Sequence, residues 1–136
     1  MLYRLSVRTR GRVDFQDITG TVRDTIKSSG VQSGVCYVFV PHTTAGITIN
    51  EHADPSVVED IIAQLDRVIP RHGGYRHLEG NSPAHIKASL VGSSQALFVE
   101  EGRPVLGTWQ GVFLCEFDGP RNRSLLIKIV PDGTHG

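Results

Sequence analysis

Apolar and polar positions alternate along the first residues of the chain and recur at helical spacing in its middle. Leu2 to Thr9 sets Leu2, Leu5 and Val7 among Arg4 and Arg8, the pattern of a half-buried strand with charge on one face. After Gly11, the residues Val13, Phe15 and Ile18 continue as a second extended piece. A short helix should follow, capped by Thr19 or Thr21, with Asp24 spaced from Thr21 as in a capping box. Val22 and Ile26 give it one narrow apolar stripe, and Gly30 ends it. Val35 to Val40 is β-branched and aromatic without alternation and reads as a strand buried on both faces. Thr43 to Asn50 does alternate, with Ile47 and Ile49 on one face and Thr48 and Asn50 on the other. Gly46 within it marks a bulge or a close backbone approach. Asp54 and Pro55 supply an N-cap and a first helical residue. Val58, Ile61, Ile62, Leu65 and Val68 then repeat at helical spacing up to Pro70.

Arg71 to Gly80 is a glycine-punctuated loop carrying His72, Tyr75, Arg76, His77 and Glu79. Ser82 and Pro83 look like a second cap followed by proline; Ile86 and Leu90 share a face, and Gly92 closes that short helix. Strands are expected over Gln95 to Glu100, Thr108 to Phe117 and Ser124 to Val130, with turns at Glu101 to Pro104 and Asp118 to Pro120. The tail, 131–136, is expected to fray. About three helices among about seven strands, with short connections at the C-terminal end, give a single α+β domain over 1–136. Its sheets should be mixed but mostly antiparallel.

Composition changes this picture little. A chain of 136 residues suits one domain and can bury a core without disulfides. Fourteen basic residues balance fourteen acidic ones, which argues against nucleic acid or an anionic membrane as partner. Cys36 and Cys115 sit in strands and read as small buried hydrophobes. With no signal-peptide core at the N-terminus and no apolar run of about 18 residues, a soluble cytoplasmic protein is expected.

The candidate chemistry gathers around Pro41 to Pro55, where His42, Thr43, Thr44, Asn50, Glu51, His52 and Asp54 lie at element ends. His42, His77 and His85 are far apart in sequence, each in a loop or near an element end. An imidazole can carry protons near neutrality or ligate a metal. Three would leave one position of a tetrahedral zinc site for water, although no His-Glu-x-x-His spacing is present. His52 and His72 read as rim residues, and His135 lies in the tail. Asp54 has its capping task. Glu51 has none and could orient a histidine or hold a hydrated magnesium ion. Glu116 interrupts the apolar run Val112 to Phe117 and reads as an outward, solvated residue. Thr43, Thr44, the helix start at Ser82, and Arg121 with Arg123 are candidate anion holders. Walker and dinucleotide glycine patterns are absent. Trp109, between Gly107 and Gly111, suits core or interface packing, with stacking on a flat heterocycle as the alternative.

Four segments together resemble the YjbQ-like family of secondary thiamine-phosphate synthases: Pro41 to Glu51, His77 to Asn81, Ala84 to Ser89, and Leu106 to Glu116. The resemblance runs nearly end to end. It implies an α+β homotrimer with a cleft holding His42, Asn50, Glu51, His77, Asn81 and His85, shared between subunits. It implies a transferase that joins hydroxymethylpyrimidine diphosphate to thiazole phosphate and releases diphosphate. A divalent metal, zinc or magnesium, at His42, His77 and His85 is implied in the same way. Many relatives carry an acid where this chain has Pro83, so any metal role of that acid has no counterpart here. Two other readings stay open: a metal-dependent hydrolase using the same histidines with Glu51, and a trimeric metal or small-ligand binder without turnover.

Overall fold

Eight strands and three helices follow from these patterns in a computed structural model that describes residues 1–133; His135 lies outside the described residues. The order is β1 (Leu2–Arg8), β2 (Asp14–Asp17), α1 (Thr19–Ser29), β3 (Gly34–Phe39), β4 (Ala45–Glu51), α2 (Pro55–Val68), α3 (Ser82–Val91), β5 (Ser94–Glu100), β6 (Arg103–Pro104), β7 (Gln110–Glu116) and β8 (Asn122–Pro131). The strands form a five-stranded sheet ordered β1-β8-β3-β5-β6 and a three-stranded sheet ordered β2-β7-β4. Every pairing among the described strands is antiparallel, so the sheets are not mixed. The expected turn at Glu101 to Pro104 closes into the short strand β6. Pro131 still pairs with Gly34, and the Asp132 amide donates to Ser33 O at 2.9 Å. Pro131 and Asp132 of the expected frayed tail are therefore held.

The two sheets face each other. Cys36, Val38 and Val40, Leu97 and Val99, and Leu125, Ile127 and Ile129 meet Ile47, Val112 and Leu114, while Ile18, Val22 and Ile26 close one side. The other face of the small sheet carries Phe113, Cys115 and Phe117 against Ala84 and Ala88 of α3, with Val58 and Leu65 of α2 packed on them. The strand buried on both faces is thus β7, lying between the large sheet and the α2/α3 layer. The same expectation for β3 fails: Cys36 and Val38 point inward, but Tyr37 and Phe39 are 47% and 40% exposed. Among the described residues nothing covers the outer face of the large sheet, and Phe98, 70% exposed, lies on it too. Both cysteines are free and buried; burial pushes the Cys36 thiol up to about 11 and the Cys115 thiol higher still, so neither is a ready nucleophile.

Helix ends follow local chemistry. Asp54 caps α2, accepting at Oδ1 from the Ser56 amide at 3.0 Å and its hydroxyl at 2.8 Å. α1 begins at Thr19, but neither threonine caps it. Asp17 does that work, with Oδ1 accepting from the Thr19 amide at 2.9 Å and from its hydroxyl. Gly30 ends α1 with φ at 73°, a left-handed conformation that glycine adopts without cost. α3 starts at Ser82, which is its first residue rather than its cap; Asn81 holds the cap position without a side-chain bond. Ile86 and Leu90 do share a face, but it is the exposed one. The helix buries Pro83, Ala84, Lys87 and Ala88 instead. Small residues are what the close approach demands: a Cβ on Gly46 would stand 2.6 Å from Gly92 O, and Ile47 N donates to that same carbonyl at 2.9 Å.

Candidate functional site

Where β3 ends, the chain runs through Pro41, His42, Thr43 and Thr44 into β4. This connection faces the start of α3 and the turn after β7. The cleft between them has two lobes that share His42, Thr43 and His85. One, of about 410 Å³, is walled by Thr44, His77, Glu79, Asn81, Asp118, Arg121 and Arg123. The other, of about 510 Å³, runs along Ala45, Ala88, Ser89, Gly92 and Ser93. His77 and His85, eight positions apart in the chain, stand with rings perpendicular and centroids 5.3 Å apart.

Beneath the cleft lies a buried ion pair. Glu116 is 0% exposed and Arg123 is 5% exposed. Arg123 Nε donates to Glu116 Oε1 at 2.8 Å, and Nη2 bonds Glu116 Oε2 and donates to Thr44 Oγ1 at 2.8 Å. Thr9 Oγ1 donates to Glu116 Oε1 at 2.7 Å, and the Asp118 amide donates to Oε2 at 3.0 Å. The carboxylate is therefore saturated, as a buried charge must be. Arg121, by contrast, is half exposed; its Nη2 donates to Asp118 Oδ2 at 3.0 Å, the oxygen that also accepts from Asn81 Nδ2 at 2.9 Å. The reading of Glu116 as a solvated residue is wrong because the β7 face it occupies lies under Thr9, Thr44 and Arg123. A lone acid in an apolar strand, with an arginine seven residues on beyond a turn, was the signal that could have paired them.

His42 is fixed by the main chain: the Ser124 amide donates to its Nε2 at 2.9 Å. Burial, and then the positive charge of Arg123, hold its pKa below the ordinary 6.5; Arg121 acts the same way and Glu116 opposes. Neutral imidazole is the form this setting favours.

Not every sequence candidate reaches the cleft. Asn50 and Glu51 lie at the far end of β4, five and six strand positions beyond Ala45 and about 17–20 Å away at the usual rise per residue. There Glu51 pairs with Gln110, the His52 amide donates to Trp109 O at 2.9 Å, and Trp109 itself is 63% exposed. His52 is more than a rim residue: its Nδ1 stands 2.9 Å from Asp17 Oδ2. Hydrogen bonds to Asp17 from Thr19 and His52 outweigh its partial desolvation and hold its carboxyl below 3.8. The glycine at 111 makes room for the His52 ring, whose Nδ1 would lie 2.4 Å from an added Cβ. The other residues that sequence reasoning missed are Asp118 and Glu79, loop acids without a periodic pattern to mark them.

The histidines also bear on metal. His42, His77 and His85 border one cleft, yet among the described residues no three His, Cys, Asp or Glu side chains converge as a metal centre requires. With Nε2 of His42 accepting from Ser124, the set does not fit a metal within one chain as it stands.

Comparison with known proteins agrees with the architecture. The family described as UPF0047 protein YjbQ-like matches residues 3–132. A UPF0047 protein of Methanocaldococcus jannaschii is 52% identical, over 97% of this chain and 96% of its own. The UPF0047 protein YugU of Bacillus subtilis is 50% identical, over 96% and 99%. Among solved structures, an uncharacterized conserved protein from Clostridium acetobutylicum superposes with a TM-score of 0.93 at 54% identity, covering 94% of this chain and 99% of that one. A YbjQ-like protein of unknown function from Sulfolobus solfataricus gives a TM-score of 0.93 at 33% identity, covering 97% of both. With the motifs, the two-sheet fold and the matched length in agreement, the chain belongs to the YjbQ-like UPF0047 family.

Proposed function

We propose that the histidine cleft binds a phosphorylated small molecule and transfers its organic group with loss of diphosphate, in the manner of a thiamine-phosphate synthase. One observation carries the reading: a buried, bidentately held Arg123 and a half-exposed Arg121 open onto the same cleft as His42, His77 and His85. A guanidinium held by a saturated carboxylate is a pre-positioned anion partner, and His85 can deliver a proton to the departing oxygen. Thr43, Thr44 and the backbone amides at Ser82 add neutral donors. Loss of diphosphate from the pyrimidine methylene leaves positive charge on the ring, which a carboxylate stabilises and an indole can stack on. Glu51, Asn50 and Trp109 are the residues for that task. Because they lie at the far end of β4, they would come from a neighbouring copy of the chain, which also motivates a homotrimer. The uncovered outer face of the large sheet supports an assembly in which copies cover one another. The reaction is tested by incubating the protein, made in a host lacking its own synthase, with hydroxymethylpyrimidine diphosphate and thiazole phosphate. Thiamine phosphate should form, and should be lost in His85→Ala with the fold intact. A chelator arm asks whether a divalent metal takes part. No product from folded, metal-replete wild type contradicts the transferase reading.

A further inference from the structure

We propose that His42 serves as a fixed hydrogen-bond donor to the ligand of the cleft, a neutral ring with its proton on Nδ1. The inference rests on the phosphate-binding reading and assigns the first contact that phosphate makes. Ser124 decides the tautomer: a backbone N–H can only donate, so Nε2, which receives it at 2.9 Å, carries a lone pair. A neutral ring then has its one proton on Nδ1. That nitrogen makes no bond among the described residues and is not buried: Asn81 Oδ1 is the only buried side-chain polar atom without a partner among them. His42 lines both lobes, so its unburied Nδ1–H is the donor it has left for a ligand of the cleft.

Arg123 repeats the design. Its Nε and Nη2 are spent on Glu116 and Thr44, and Nη1, unbonded and likewise absent from the buried unpartnered atoms, is the edge left for a ligand. Two immobile donors on residues that line one cleft select a ligand group that only accepts, which a fully ionised phosphoryl group is and a hydroxyl or amine is not. Protonating His42 would set an Nε2–H against the Ser124 N–H, so the ring is a poor proton carrier. Neither nitrogen is free for a metal: one holds the proton and the other accepts from Ser124.

Nitrogen-15 spectra of the imidazoles at neutral pH test this directly. His42 should show the Nδ1–H tautomer, with Nε2 unprotonated and hydrogen-bonded. An Nε2–H tautomer or an imidazolium would overturn the assignment. Calorimetric titration with inorganic diphosphate supplies a second arm. His42→Asn, whose amide nitrogen falls near Nδ1, should bind within about threefold of wild type, whereas His42→Gln and His42→Ala should bind at least tenfold more weakly. Rescue by Gln instead of Asn would place the functional nitrogen at Nε2 and contradict the proposal. If wild type binds no diphosphate, the phosphate reading falls and the nitrogen spectrum alone decides His42.

Discussion

At the scale of single residues, the buried Glu116–Arg123 pair carries the sharpest consequence. Removing one member leaves the other charged and without its partner in the interior. Glu116→Leu should therefore cost about 3–5 kcal/mol in urea denaturation. The double variant Glu116→Leu with Arg123→Met should recover most of that loss but weaken diphosphate binding. A double variant as unstable as the single one would mean the pair is needed for more than charge balance. The lowered pKa values of His42 and Asp17 set a pH dependence. His42 titrates below 6.5 when folded, so on acidification the unfolded chain takes its proton first; this contribution is complete above 6.5 and is lost as pH falls through the folded value. Asp17 behaves alike from 3.8 downward, with its stabilisation present above that pH and lost as pH falls through the lowered value. Thermal scans should show two successive declines on acidification, and His42→Asn should abolish the upper one. The histidines and arginines of the cleft were legible as candidates because residue type announces their chemistry. The Asp17–His52 contact was not, because it joins residues 35 positions apart that only the fold brings together, and the Glu116–Arg123 pair was marked only by a lone acid in an apolar strand seven residues before an arginine.

At the scale of elements, the spacing of apolar positions located all three helices and most of the strands, and α2 with its Asp54 cap is the clearest success. What periodicity misjudged was facing. The run Val35 to Val40 reads as buried on both sides because Tyr37 and Phe39 are apolar, yet they line a face that one chain leaves open. In α3 the large residues Ile86 and Leu90 point outward while small ones are buried, because the helix lies close against β4. Gly46 is where that closeness is tightest. Gly46→Ala should destabilise the protein by about 1–3 kcal/mol, since the obstructing atom is a backbone carbonyl that cannot turn aside. An unfolding midpoint equal to wild type would show that α3 can retreat from β4 freely.

At the scale of the whole molecule, the residues that the family resemblance groups together fall at two ends of the small sheet. The histidines gather at one end, and Asn50, Glu51 and Trp109 lie at the other. The chain alone, no helix of which is long and apolar enough among its described residues to cross a membrane, presents an aromatic sheet face to solvent. Both facts motivate the proposed assembly of copies. Wild type should sediment as a trimer if the proposed assembly forms, and Phe98→Asp, placed on that face, should give a folded monomer. A wild-type monomer would require each cleft to work without Glu51. None of this was readable from periodicity, which reports what is apolar along a strand but not whether the covering surface belongs to the same chain.

The measurement that bears most directly on the central claim is a titration of inorganic diphosphate followed by backbone amide shifts. The histidine cleft has a competitor for anions among the described residues: a groove of about 390 Å³ lined by Arg23, Lys27 and Arg103 together with Asp24 and Glu101. If the cleft is the phosphate site, the amides of Thr43, Thr44 and Ser124 move in a saturable manner and Arg121→Gln weakens the effect. If the shifts are confined to the Arg23–Arg103 groove, or no amide moves, the assignment of function to the histidine cleft is contradicted.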